Sequence, residues 1–189
     1  MAETDPTTTP REEPVRRASV RALALLGLVA VLAWSIDQIT KIVVVDSLPM
    51  GRSVPFLGEL LQLTYVLNPG AAFSLGEGTT WIFAIIASAV VVFLLVFARR
   101  IRSIAWAVVF GLLLGGTLGN LTDRLFREPG FGVGHVVDFL HVWGFPAIFN
   151  IADVCIVSAM GLFIILTLRG IGLDGRRQAE TEAAAAEAE

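Results

Sequence analysis

The chain has 189 residues, of which 55% are hydrophobic and 16% charged, against about a quarter charged in soluble domains, and its mean hydropathy is +0.74. These values exclude an ordinary water-soluble domain and point to a membrane protein with length for one compact unit. The formal net charge of -3 hides a segregation in which acids crowd the tails and arginines flank the apolar runs, and no basic, aromatic-interleaved surface suited to nucleic acid is present.

Residues 1–14 are rich in Thr, Pro and Glu without an apolar period, so they bury too little surface to fold alone and 1–18 is expected to be a disordered tail. After Arg16, Arg17 and Arg21 an apolar run begins, is broken by Asp37, Gln38, Thr40 and Lys41, and resumes at Ile42. No small-residue cleavage site follows the run, so it is read as a first spanning helix over about 21–45 and not as a secretory leader. Residues 48–78 carry Pro49, Gly51, Pro55, Gly58, Pro69, Gly70, Gly76 and Gly78, too many breakers for a helix. Within them Leu61 to Leu67 alternates and Ala71 to Leu75 is a second extended candidate, which predicts a small antiparallel sheet outside the bilayer core.

The apolar run 80–98 reaches about 28 Å as a helix, enough for the hydrocarbon core. A turn containing Arg99, Arg100 and Arg102 leads to a third span over 104–122, which ends at Asn120, Asp123 and Arg124. A glycine-broken loop then leads through His135, Asp138 and His141 to a fourth span over 149–169. Residues 171–189 are expected to form a tail, whose Ala/Glu part, Ala179 to Glu189, is solvated and at best marginally helical. The fold class is therefore an all-α multi-pass membrane protein with four transmembrane helices and a small extracytoplasmic β-sheet after the first. The domain unit is 19–170.

The arginine-rich flanks lie before span one, between spans two and three, and after span four, whereas the segment after span one holds only Arg52. By the positive-inside rule both termini are cytoplasmic. Asp37, Lys41, Asn120, Asp123, Arg124, Asp138 and Asp153 then converge near the outer leaflet.

Asp138 in an apolar segment and Asp153 one turn inside span four are costly placements for acids, by about 2.5–3.5 kcal/mol at mid-helix, and such groups are functional by default. Asn150 lies three residues before Asp153 and faces the same side. Asp37 and Lys41 are spaced i, i+4, and a supporting ion pair is the better reading for them than a catalytic one. Gly111, Gly115 and Gly119 form a smooth stripe for close helix approach, while Gly116 and Asn120 prolong a neighbouring polar face towards Arg124. His135, Asp138 and His141 fit no zinc spacing, so no metal is expected. Trp34, Trp81, Trp106 and Trp143 read as interface and packing aromatics. The single Cys155 excludes a disulfide within the chain and reads as a packing residue.

Five strings, Asp37-Gln-Ile-Thr-Lys41, Asn68-Pro-Gly-Ala-Ala-Phe73, Gly115-Gly-Thr-Leu-Gly-Asn-Leu-Thr-Asp-Arg124, Val136-Val-Asp-Phe139 and Phe149-Asn-Ile-Ala-Asp153, together and in this order resemble the motif set of the lipoprotein signal peptidases (signal peptidase II). The resemblance runs from the first span to the fourth. It implies a bacterial plasma-membrane aspartyl endopeptidase without a cofactor, with Asp138 and Asp153 as the catalytic pair. It also implies that Asp37, Lys41, Asn68, Gly70, Asn120, Asp123, Arg124 and Asn150 support the site or bind substrate. The implied substrates are prolipoproteins cut before a diacylglyceryl-modified cysteine. Membrane lipids are the surroundings, globomycin-like peptides the inhibitors, and a monomer the working form. Two positions depart from the pattern: one extra residue between Pro146 and Asn150, and Val154 where serine is common.

The chemistry stands beside the resemblance. Two close carboxyls cannot both ionise easily, so they share a proton, and the ionised one activates water while the other polarises the scissile carbonyl. Two rival readings are a small proton-coupled carrier using the same aspartates as a relay, and a non-enzymatic scaffold held by the glycine stripe. A relay distributes polar groups through the bilayer, and the cytoplasmic halves of spans two and four are almost purely apolar.

Overall fold

The computed structural model describes residues 19–70 and 79–177. The extended candidate at Ala71 to Leu75, the tail 1–18 and residues 178–189 lie outside them. The elements in chain order are α1 (Val20–Ser47), β1 (Ser53–Leu57), β2 (Leu61–Asn68), α2 (Thr80–Ala98), α3 (Ile104–Phe126), β3 (Val136–Val142), β4 (Ile148–Phe149) and α4 (Ile151–Leu168). All four helices are long and apolar enough to cross a membrane. Their outward faces carry large apolar side chains such as Val31, Ile39, Ile85, Val96 and Ile164, the pattern that lipid requires of a spanning surface.

α3 is the central helix. Its Gly111 lies against Leu26 and Val29 of α1, and a Cβ on Gly115 would stand 2.6 Å from the Ala30 carbonyl oxygen. The glycine stripe thus serves the expected close approach, with α1 as its partner, and only the absence of side chains permits it. Gly116 turns to the other neighbour, where a Cβ would meet the Ala152 carbonyl oxygen of α4 at 2.6 Å. Away from the polar end, Leu26, Ala30, Leu94, Phe110, Leu114 and Ala159 close a core shared by the four helices.

The sheet is antiparallel, in the order β1-β2-β3-β4. Its make-up differs in part from the expectation: β2 covers the alternating run, but its neighbours are Ser53–Leu57 and the segment Val136–Val142. The latter carries no period-two signal because both of its faces are buried: Val137 and Phe139 pack with Val44 and Tyr65, and Asp138 between them is itself only 3% exposed. A strand covered on both sides reads as a continuous apolar run. Two boundaries also move: α3 continues to Phe126, and α4 begins at Ile151, with Ile148 and Phe149 given to β4.

Candidate functional site

The polar residues of α1, α3, β3 and α4 meet at one end of the bundle around Lys41. Its ammonium, fully buried, lies 2.9 Å from Asp37 Oδ2 and 2.8 Å from Asp123 Oδ2 and donates to Asn120 Oδ1 at 3.0 Å. Three donors meet three acceptors, which is the condition for holding an ammonium away from water. Asp37 Oδ1 also accepts from the Ala152 backbone N–H at 2.9 Å, in the first turn of α4. A buried acid of the first helix therefore satisfies an otherwise open donor of the fourth. Asp123 Oδ2 takes the Val137 N–H at 3.2 Å, tying β3 to the same cluster.

Lys41 determines the orientation of the next amide. Asn120 Oδ1 faces two donors, Lys41 Nζ and Asn150 Nδ2 (3.0 Å each), so its Nδ2 is turned to Asp153 Oδ1 at 2.9 Å. Asn150 is the N-cap of α4: its side chain accepts from the Asp153 N–H at 3.1 Å, and Asp153 Oδ2 accepts the Asn150 N–H at 3.2 Å. This reciprocal capping box fixes Asp153 in the first turn. The remaining end of Asn150, Nδ2, donates to Asp138 Oδ1 at 2.6 Å. Asn68 Nδ2 holds the other oxygen, Oδ2, at 2.9 Å.

Asp138 and Asp153, 15 positions apart in the numbering, are thus brought to a common centre and bridged by Asn150, with Asp138 buried and Asp153 half-buried. Burial foremost pushes Asp138 up to about 6, and the negative charge of Asp153 adds to the rise; hydrogen bonds from Asn68 and Asn150 and the positive charge of Lys41 act against it. The arrangement offers one carboxyl able to hold a proton near neutrality beside a second that receives fixed donors. These are the properties of an acid–base pair.

Asp123 and Arg124, adjacent in sequence, diverge. Arg124 Nη2 donates to the Gly70 carbonyl at 2.5 Å, and its guanidinium carbon lies 5.2 Å from the Phe83 ring centroid. The Gly70 N–H in turn donates to Asn68 Oδ1 at 3.0 Å, so Arg124 braces the turn that carries Asn68. All ten residues singled out from the sequence lie in this one cluster. Two partners were not singled out: Gln38, whose amide donates to Asp37, the Gly119 carbonyl and Asp123, and Arg127, whose Nε is 2.6 Å from Asp123 Oδ1. Arg127 stands four residues after Asp123, the spacing of a helical ion pair, and that signal was available in the sequence. Among the described residues no group of three or more His, Cys, Asp or Glu side chains is placed to hold a metal.

Comparison with known proteins points in one direction. The family model described as signal peptidase (SPase) II matches residues 29–169. The chain is 64% identical over 162 residues to a lipoprotein signal peptidase of Leifsonia xyli subsp. xyli, covering 86% of this chain and 75% of that one. It is 44% identical over 183 residues to a lipoprotein signal peptidase of Mycobacterium tuberculosis (strain ATCC 25618 / H37Rv), covering 93% and 90%. Among solved structures, one described as a bacterial membrane enzyme obtained by the in meso method superposes with a TM-score of 0.72 at 29% identity, covering 82% of this chain and 92% of that one.

Proposed function

This chain belongs to the signal peptidase II family, membrane aspartic endopeptidases that process lipoprotein precursors in bacteria, and from that premise we propose that Asp138 and Asp153 are its catalytic pair. The observation that carries the proposal is the bridge through Asn150, which hydrogen-bonds to both carboxyls, one by its side chain and one by its backbone. A water held between the two acids loses its proton to the ionised carboxylate and attacks the scissile carbonyl. The protonated partner donates to the carbonyl oxygen, and the roles reverse when the amine leaves. The raised proton affinity of Asp138 suits it to be the protonated partner at the start of the cycle. Asn68, Asn120 and Asn150 position the pair, Lys41 with Asp37 and Asp123 positions the amides, and Arg124 positions the Gly70 turn.

The substrate is a prolipoprotein cut before its diacylglyceryl-modified cysteine. Extracting such a substrate into water would cost about 0.8 kcal/mol per methylene, and a centre at the membrane boundary avoids that cost. The arginine bias of the flanks supports cytoplasmic termini and an active site near the outer leaflet. Globomycin-like peptides are the expected inhibitors, and one copy of the chain supplies every residue of the proposed machinery. The test is incubation of the purified protein with a synthetic precursor carrying diacylglyceryl-cysteine: wild type cuts it, and Asp138→Asn and Asp153→Asn do not. Cleavage retained by either variant removes that residue from the mechanism.

A further inference from the structure

At the end of the bundle opposite Asp138, two cavities share a wall. The first, of about 430 Å³, is lined by Arg99, Arg100 and Arg102 together with Leu173 and Asp174. The second, of about 400 Å³, is apolar, with the rings of Phe93, Phe97, Trp106, Phe110 and Phe163 around it, and Leu173 lines it too.

Two features show that this region is built. The segment after α4 turns back over the loop between α2 and α3: the Leu173 carbonyl accepts from the Arg102 and Ser103 N–H groups at 3.0 Å each, and Trp106 Nε1 donates to the Ile171 carbonyl at 3.0 Å. The rings also brace one another, with Phe97 stacked on Phe110 at 5.4 Å and Trp106 edge-on to Phe163 at 5.3 Å. Arg100 straddles the divide, its guanidinium carbon 5.6 Å from the Phe97 centroid. None of the three arginines forms an ion pair with a carboxylate among the described residues. Asp174 is occupied in part by the Arg176 N–H at 3.0 Å. The basic chamber therefore holds three guanidiniums against one carboxylate.

We propose that the adjoining arginine and aromatic chambers form a binding site for a phospholipid of net negative charge, its phosphate among Arg99, Arg100 and Arg102 and an acyl chain in the groove of Phe93, Phe97 and Phe163. Guanidinium forks match phosphate oxygens, and the neighbouring chamber falls within the volume range of ligand sites. A zwitterionic lipid brings an ammonium into the same arginine cluster and loses the advantage. A free phosphate fills one chamber only. The site lies away from the proposed catalytic centre, so it stands or falls independently of proteolysis.

The test is native mass spectrometry of the full chain in detergent with three probes: dioleoylphosphatidylglycerol, dioleoylphosphatidylcholine and glycerol phosphate. The expected result is one retained phosphatidylglycerol, bound at least about tenfold more tightly than phosphatidylcholine. Binding should weaken by about fivefold for each arginine neutralised in Arg99→Gln and Arg100→Gln, while Arg100→Lys keeps most of it. Equal retention of the two lipids by the wild-type chain overturns the proposal, and this comparison needs no variant to fold. Unchanged phosphatidylglycerol binding in the Arg99→Gln, Arg100→Gln double variant overturns it as well. Glycerol phosphate binding as tightly as the whole lipid does the same, since it would reveal a simple phosphate site.

Discussion

Lys41 Nζ lies 3.0 Å from Asn120 Oδ1, and this contact decides which end of the amide faces Asp153. An asparagine with its oxygen turned to an ammonium has only its nitrogen left to offer. The buried cation on α1 thus reaches the acid on α4 through one side chain of α3, without touching it.

Removing that cation should therefore act on stability before it acts on chemistry. Lys41→Met leaves Asp37 and Asp123 buried without their shared partner, a change worth about 3–5 kcal/mol when one member of a buried ion pair is lost. The expected outcome is a marked fall in the thermal unfolding midpoint in detergent. Adding Asp37→Asn to Lys41→Met should recover part of the fall, because Asp37 has no other ion-pair partner among the described residues, whereas Asp123 keeps Arg127. A double variant no more stable than the single one would argue against charge pairing as the cause.

The two proposed catalytic acids should behave in the opposite way. Asp138→Asn relieves the burial penalty on a carboxylate but turns one NH2 towards the Asn68 or Asn150 donor, so the variant is expected to unfold near the wild-type temperature while losing cleavage of the lipid-modified precursor by at least about a hundredfold, the lower end of an acid–base contribution. The measurement pairs calorimetry with single-turnover cleavage. A variant that is both inactive and unfolded would leave the carboxyl with a structural role instead.

The pH dependence of stability follows from the same residue. Its folded value of about 6 stands above the ordinary 3.8, so between these limits the folded state holds a proton that the unfolded state has released. Stability from this group is therefore lost as pH rises from about 4 to about 6, by about 3 kcal/mol in all at 1.36 kcal/mol per pH unit. Wild type minus Asp138→Asn, followed by unfolding at pH 4, 5, 6 and 7, should show that decline and then level off. A difference that grows in favour of wild type over this range would reverse the sign and contradict the burial argument.

Glycine positions give a graded test of the helix contacts. At Gly115 a Cβ would lie 2.6 Å from the Ala30 carbonyl and 2.7 Å from the Ala33 Cβ, and at Gly119 it would lie 2.5 Å from Asp37 Oδ2. Gly115→Ala should lower the unfolding midpoint, and Gly119→Ala should also weaken cleavage by displacing the carboxylate that holds the Ala152 N–H. At Gly161 nothing lies within 4 Å of the Cβ position. Gly161→Ala should then be neutral or stabilising by about 0.5–1 kcal/mol, the usual helix preference.

The spans were legible because hydrocarbon imposes a length and a composition that few other environments demand: Thr80–Ala98 emerged residue for residue. The acids were legible because a carboxyl in an apolar run is expensive wherever it occurs. The pairing partners of β2 were harder to read. Its neighbour Val136–Val142 joins it across 70 or so positions of sequence, as in Asn68↔Val136, and burial on both faces removed the alternation that marks a strand. Gln38 escaped for a different reason: an amide beside a charged pair carries no period and no charge of its own, and only the fold reveals that it touches both α1 and α3.

The capping box of α4 makes one spacing serve two purposes, since the three steps from Asn150 to Asp153 both start the helix and aim the acid. An insertion ahead of β4, in the turn between Val142 and Ile148, would lengthen a connection and leave the aim intact. The same insertion after Asn150 would turn the carboxyl by about 100° around the axis, out of reach of Asn120. A change of length is therefore expected to be tolerated in the turn before β4 and not in the three steps from Asn150 to Asp153.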